Sequence, residues 1–139
     1  MKKREALHIV SYLKENQKNM IRFLEKLVKT ESPSNDASSQ NAMFNLLKTE
    51  LENLDYKVFK IDGRKTGGYL YSRPSLRKKN NPVQFILGHC DTVWKKGSLE
   101  NMPVKLNETK MSGPGIFDMK AGLTQIIYAL KAIKSLKLH

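Results

Sequence analysis

A histidine and two aspartates stand at spacings that suit metal binding. His89 and Asp91 are separated by Cys90, and Asp118 follows the glycine-punctuated turn Gly113-Pro114-Gly115. In an extended chain alternate residues point to the same side, so His89 and Asp91 project together while Cys90 points away. A metal-binding imidazole usually donates its other N–H to a carboxylate, which suits Asp91 as an orienting partner, although Asp91 is also a candidate ligand itself.

The donor types favour a particular group of metals. Histidine and aspartate together suit zinc, with manganese, cobalt or another divalent ion as alternatives. The flexible turn lets the backbone approach closely and aim the Asp118 carboxylate. Taken alone, one His-x-Asp is more often an ordinary surface pair than a metal site. Zinc ligation by Cys90 competes with the alternation of side chains, so a small buried residue is the simpler interpretation of Cys90.

The strands that must position these residues are indicated by apolar runs and alternation. The run 83–87 (Val-Gln-Phe-Ile-Leu) predicts a buried strand that leads into His89. Alternation predicts strands at 56–61 and 69–72, and a short pair around 104–106 and 110–111.

Helices are indicated by apolar residues at helical spacing. One or two helices are expected over 4–29, another after the 31–36 loop to about 54, and a last one after Asp118. The strands and helices together predict the α/β class, with a mixed sheet flanked by helices. The positions expected to face the core are Met20, Ile21, Leu24, Leu27 and Val28, then Ala42, Met43, Leu46, Leu47, Leu51 and Leu54, and finally Leu123, Ile126, Ile127, Leu130 and Ile133, with Lys131 and Lys134 outward.

Several stretches in combination resemble the dinuclear zinc exopeptidases, a family that includes glutamate carboxypeptidases, acetylornithine deacetylase, succinyl-diaminopimelate desuccinylase and aminoacylases. The resemblance extends from about Phe23 to the C-terminus, and the detail from Trp94 to Met119 is most similar to the glutamate-carboxypeptidase branch. The stretches that carry it are Glu31-Ser32-Pro33-Ser34, Gly88-His89-Cys90-Asp91-Thr92-Val93-Trp94, Gly97-Ser98-Leu99, Met102-Pro103 and Gly113-Pro114-Gly115-Ile116-Phe117-Asp118-Met119-Lys120-Ala121-Gly122.

The resemblance implies a role for each site residue. His89 would be a terminal ligand of one zinc, and Asp118 would bridge two zinc ions, with cobalt or manganese as alternatives. Asp91 would orient His89 and act as the catalytic aspartate. The Asp118–Met119 peptide bond would be cis. The implied activity is metal-dependent hydrolysis of amide or peptide bonds, of carboxypeptidase or deacylase type, with a peptide or N-acyl amino acid as substrate.

The resemblance also implies that residues 1–139 are the N-terminal part of a metallopeptidase catalytic domain, truncated after the helix that follows the bridging-aspartate motif. The family's Glu-Glu pair, later acidic ligand, distal histidine and dimerisation domain have no counterpart in this sequence. Glu100, Glu108, His8 and the terminal His139 are expected to be ordinary solvated residues. We therefore expect the isolated chain to bind metal weakly and to be inactive, and a complementary C-terminal chain is a candidate partner.

Composition leaves two alternative interpretations. A net charge of +12 would suit nucleic acid, but lysine outnumbers arginine twenty to five, the charges are scattered, and no nucleic-acid module signature is present. A non-catalytic remnant that acts through interactions is the other alternative. The single cysteine excludes an internal disulfide, and no membrane span or signal-like segment is evident, so the cytoplasm is the expected location.

Overall fold

Helices form most of the N-terminal third of the chain, and hairpins and a long helix follow. The structure, a computed structural model, describes residues 3–78 and 80–137. The helices are α1 (Lys3–Glu15), α2 (Gln17–Lys29), α3 (Gln40–Glu52), α4 (Ser98–Asn101) and α5 (Ala121–Ser135), and an irregular turn with non-helical backbone at Asp118 and Met119 spans Ile116–Lys120. The strands are β1 (Tyr56–Ile61), β2 (Tyr69–Pro74), β3 (Lys105–Leu106) and β4 (Met111–Ser112).

The core lies where α2, α3 and α5 meet. Its buried side chains are Phe23, Leu27, Met43, Leu47, Ile127 and Tyr128. The helical spacing correctly placed Leu27, Met43, Leu47 and Ile127 inside, but the predictions for Ala42 and Ile133 were wrong, because both are exposed. Two of the core side chains are aromatic, and the ring centroids of Phe23 and Tyr128 lie 6.2 Å apart. Lys131 turns back over both rings and pairs with Glu50 at 2.7 Å.

Antiparallel pairing and one parallel bridge are both present, and the α/β class is confirmed. Strands β1 and β2 form a hairpin in which Tyr56 lies opposite Pro74 and Ile61 opposite Tyr69. Strands β3 and β4 pair in the same sense. The parallel bridge joins Pro33 to Thr92, immediately beyond the predicted metal-binding motif.

The prediction of a buried strand at 83–87 is wrong, because the segment is neither a strand nor buried. No strand is assigned there, and the side chains of Val83, Phe85, Ile86 and Leu87 are exposed. An extended segment becomes a strand only when a neighbour accepts its backbone hydrogen bonds. Within residues 3–78 and 80–137, β1 and β2 pair with each other and no strand lies beside this run.

Among the described helices, none is both long and apolar enough to cross a membrane. The cytoplasmic location stays a prediction. His139 lies outside the described residues. His8, Glu100 and Glu108 are exposed, as expected for solvated residues.

Candidate metal centre

His89 is held between the two aspartates that the sequence singled out. Its Nδ1 lies 3.0 Å from the backbone oxygen of Asp91 and 3.4 Å from Asp91 Oδ1. Its Nε2 lies 2.8 Å from Asp118 Oδ1. The structure therefore brings together all three predicted site residues, two of them separated by 29 positions in sequence.

The alternation around His89 also holds. Cys90 packs against the core cluster, whereas His89 and Asp91 line an open cleft of about 370 Å³. Burial raises the pKa of the Cys90 thiol to about 11, which keeps this side chain neutral. Cys90 is thus a partly buried free thiol that faces away from the cleft.

The turn before Asp118 aims the carboxylate into the cleft. Gly115 adopts φ +73°, a left-handed conformation that favours glycine, and a Cβ there would lie 2.5 Å from Thr92 Cγ2. Glycine thus permits the turn to approach Thr92 closely. The Asp118–Met119 peptide bond is cis, as the family resemblance implied. The Met119 sulfur then accepts a hydrogen bond from the backbone N–H of His89 at 3.4 Å.

The electrostatics at His89 Nε2 suit a cation. When Nδ1–H donates to the Asp91 carbonyl, the neutral ring presents the Nε2 lone pair to the Asp118 carboxylate, and two acceptors face each other. A positive charge resolves this conflict, either as a proton on the ring or as a metal ion. The hydrogen bond to Asp118 accordingly raises the pKa of His89, against an opposing effect of burial.

These donors fit a divalent metal in kind. The imidazole Nε2 and a carboxylate oxygen of Asp118 lie 2.8 Å apart, and the Asp91 backbone carbonyl accepts from the other ring nitrogen, as is usual for metal-binding histidines. Within the described part of the chain, no cluster of three or more His, Cys, Asp or Glu side chains could hold a metal. The chain therefore offers two converging donors, where catalytic zinc usually has three protein ligands.

The segment that contains these residues is similar to known peptidases. Residues 85–139, which contain His89, Asp91 and Asp118, match peptidase family M20/M25/M40. Over 122 residues the chain is 35% identical to carboxypeptidase G2 of Pseudomonas sp. (strain RS-16). The family resemblance noted in the sequence is thereby confirmed. The matched segment is 86% of the chain but 29% of the length of that relative.

Two residues around this centre make hydrogen bonds that were not foreseen from the sequence. Lys120 is buried, with 2% of its surface exposed, and its Nζ donates to the Thr30 carbonyl at 3.0 Å. Burial lowers the pKa of Lys120 to about 8. Glu31 accepts hydrogen bonds from two backbone N–H groups near Trp94. Both residues lie in the motif stretches, but only the three-dimensional structure shows their partners, 66 to 90 positions away.

Proposed function

We propose that this chain forms part of a metal-dependent hydrolase of amide or peptide bonds, of carboxypeptidase or deacylase type. The observation that carries the proposal is the approach of His89 Nε2 to Asp118 Oδ1, 2.8 Å apart with the other ring nitrogen bonded to Asp91. The match of residues 85–139 to the peptidase family and the similarity to carboxypeptidase G2 support it. Peptides or N-acyl amino acids are the proposed substrates.

In this proposal His89 and Asp118 would hold zinc, with cobalt or manganese as alternatives, and the complete site would take two ions. A bound metal of this kind supplies Lewis acidity toward a scissile carbonyl. Asp91 serves as the catalytic aspartate, and its backbone carbonyl, 3.0 Å from Nδ1, keeps the imidazole in one orientation with Nε2 directed toward Asp118. Trp94 and Phe117 line the same cleft and offer apolar surface to a substrate.

We further propose that residues 1–139 act as the N-terminal part of a catalytic domain and are inactive by themselves. Two donors are fewer than catalytic zinc requires, and an amide hydrolase also needs a general base. Further acidic residues from a complementary segment or chain would supply both. We therefore expect the 139-residue chain to bind zinc weakly and to leave a dipeptide uncleaved.

Calorimetric titration of the 139-residue chain with zinc tests this proposal. We expect one weak site, with a dissociation constant above about 1 µM, because only two protein ligands are present. His89→Ala and Asp118→Ala should abolish the binding. Asp91→Asn should weaken it by less than about tenfold, since the backbone carbonyl that faces Nδ1 remains and only the carboxylate charge 3.4 Å from Nδ1 is lost.

His8→Ala is the matched control, because His8 is an exposed histidine on α1 and its removal should leave zinc binding unchanged. Zinc binding that survives His89→Ala would contradict the ligand assignment. Submicromolar affinity, or dipeptide hydrolysis by the 139-residue chain, would contradict the proposal that the site needs further residues.

A further inference from the structure

The segment that joins α2 to α3 is hydrogen-bonded to the residues on either side of Asp91 and to Lys120, two residues after Asp118. Ser32 is fully buried, and its Oγ donates to the Cys90 carbonyl at 2.6 Å. The Ser32 carbonyl in turn accepts the Thr92 N–H at 2.9 Å. The two bonded residues, Cys90 and Thr92, lie on either side of Asp91, and Cys90 directly follows His89. The backbone at Ser32 is therefore fixed relative to the His89 and Asp91 side chains.

The same segment is also fixed relative to Asp118. The ammonium group of Lys120, two residues after Asp118, donates to the carbonyl of Thr30 at 3.0 Å. Hydrogen bonds from a charged donor in a buried setting are stronger than neutral ones. Glu31, between Thr30 and Ser32, therefore starts from a backbone position that is tied to both proposed ligands.

The Glu31 carboxylate extends from this position to the entrance loop, which we define as residues 94–99. Its Oε2 accepts the Gly97 N–H at 2.8 Å, and its Oε1 accepts the Leu99 N–H at 3.2 Å. Each carboxylate oxygen is thus bonded to backbone rather than directed at the cleft. Gly97 adopts the left-handed φ of +87°, and the Glu31 carboxylate holds the loop in this conformation through the Gly97 N–H.

The entrance loop begins with Trp94, which lines the cleft together with His89 and Asp118. We propose that Glu31 is a positioning residue that fixes the entrance loop, and with it the Trp94 side chain, at a set distance from the metal-binding side chains. This inference rests on the proposed function of the cleft. Its consequence is that Glu31 determines the shape of the substrate-facing wall without contacting substrate or metal.

Trp94 is the single tryptophan of the chain, so its fluorescence reports on the entrance loop alone. In Glu31→Gln an NH2 group replaces one of the two acceptor oxygens. Two N–H donors then face each other, one hydrogen bond to the entrance loop is lost, and the loop should become more mobile. We expect acrylamide to quench Trp94 about twofold more strongly than in the wild type, because local opening exposes the ring. Glu31→Asp keeps the charge but is shorter, and it should give an intermediate value.

Glu25→Gln is the matched control. Glu25 lies on α2 and forms a surface ion pair with Lys29 at 2.7 Å, so its loss should leave Trp94 quenching unchanged. Urea unfolding identifies which variants are folded; if Glu31→Gln does not fold, Glu31→Asp carries the comparison. Equal quenching in the wild type and in the folded Glu31 variants would overturn the inference.

Cobalt(II) separates this inference from the proposed function. In the wild type, cobalt should quench Trp94 saturably, and His89→Ala should abolish the effect. Glu31→Gln should retain the midpoint of the cobalt titration but lose quenching amplitude, since the ligands are intact and the ring has moved. A shifted midpoint with unchanged amplitude would overturn the positioning role. Lack of saturable quenching in the wild type would contradict the proposed function, while the acrylamide comparison would still decide whether Glu31 holds the loop.

Discussion

At the scale of single residues, the candidate centre depends on one imidazole whose two nitrogens both face oxygen atoms. Asp91 and Asp118 lie on opposite sides of His89, and both approach it within hydrogen-bonding distance through a backbone or carboxylate oxygen. Because a neutral ring can donate from only one nitrogen, the arrangement favours a cation at the other. The same residues are exposed to the cleft, which leaves this point accessible from solvent.

Gly115 is the residue on which the approach of the two motifs depends most directly. In Gly115→Ala the new Cβ would meet Thr92 Cγ2 at 2.5 Å and the backbone would be held at φ +73°. We expect the free energy of unfolding to fall by about 3 kcal/mol, from left-handed strain and overpacking together. Urea denaturation followed by circular dichroism measures this loss.

Gly97→Ala is the matched comparison for Gly115→Ala. Its φ of +87° imposes similar backbone strain, but no atom lies within 4 Å of the added Cβ. The expected loss is therefore only about 1 kcal/mol. Equal losses in the two variants would show that the contact with Thr92 does not constrain the turn.

At the scale of elements, the sequence predicted those helices and strands that depend on the local pattern of apolar residues. The limits of β1 agree with the alternation at 56–61, and α3 and α5 follow their apolar spacing. The run 83–87 was misjudged because an apolar stretch records a preference for burial, whereas a strand also requires a partner, and none of the described strands provides one. The meeting of His89 with Asp118 could be expected only from the family resemblance, because spacing along the chain does not fix distant contacts.

Lys120 connects the start of α5 to the end of α2, and its ionisation should make the stability of this junction depend on pH. The folded chain has a pKa of about 8 at Lys120, against 10.5 for an unperturbed lysine, because burial penalises the ammonium ion. Between these values the unfolded chain binds more protons, so the free energy of unfolding rises with pH. The gain should be complete above the unfolded pKa and absent below about pH 8.

Lys120→Met isolates this contribution, because methionine is similar in length and cannot titrate. We expect the wild type to gain about 3 kcal/mol relative to Lys120→Met between pH 8 and pH 10.5. Urea denaturation of both proteins across this range, without added metal, gives the difference. A difference that is constant with pH would contradict the lowered pKa.

At the scale of the whole molecule, an exposed apolar surface coexists with a large positive charge. Phe85 and Leu87 are each 78% exposed, and Val83 and Ile86 beside them are also exposed. Such a contiguous patch favours association, whereas a net charge of +12 opposes it through repulsion between copies. The balance should therefore depend on ionic strength, because salt screens the repulsion and leaves the apolar attraction in place.

We expect the wild-type chain to self-associate increasingly as salt is raised, and Phe85→Lys with Leu87→Lys to suppress the association. Sedimentation velocity at low and at moderate salt measures the shift. Because both side chains are already exposed, the double variant should change the free energy of unfolding by less than about 1 kcal/mol. Leu76→Lys is the control, because Leu76 is 98% exposed and lies outside the 83–87 run. This substitution adds positive charge but leaves the apolar side chains of the run in place. A wild type that stays monomeric at both salt concentrations would show that the 83–87 run does not drive association. Equal suppression by Leu76→Lys would show that added charge, rather than loss of the run, suppresses it.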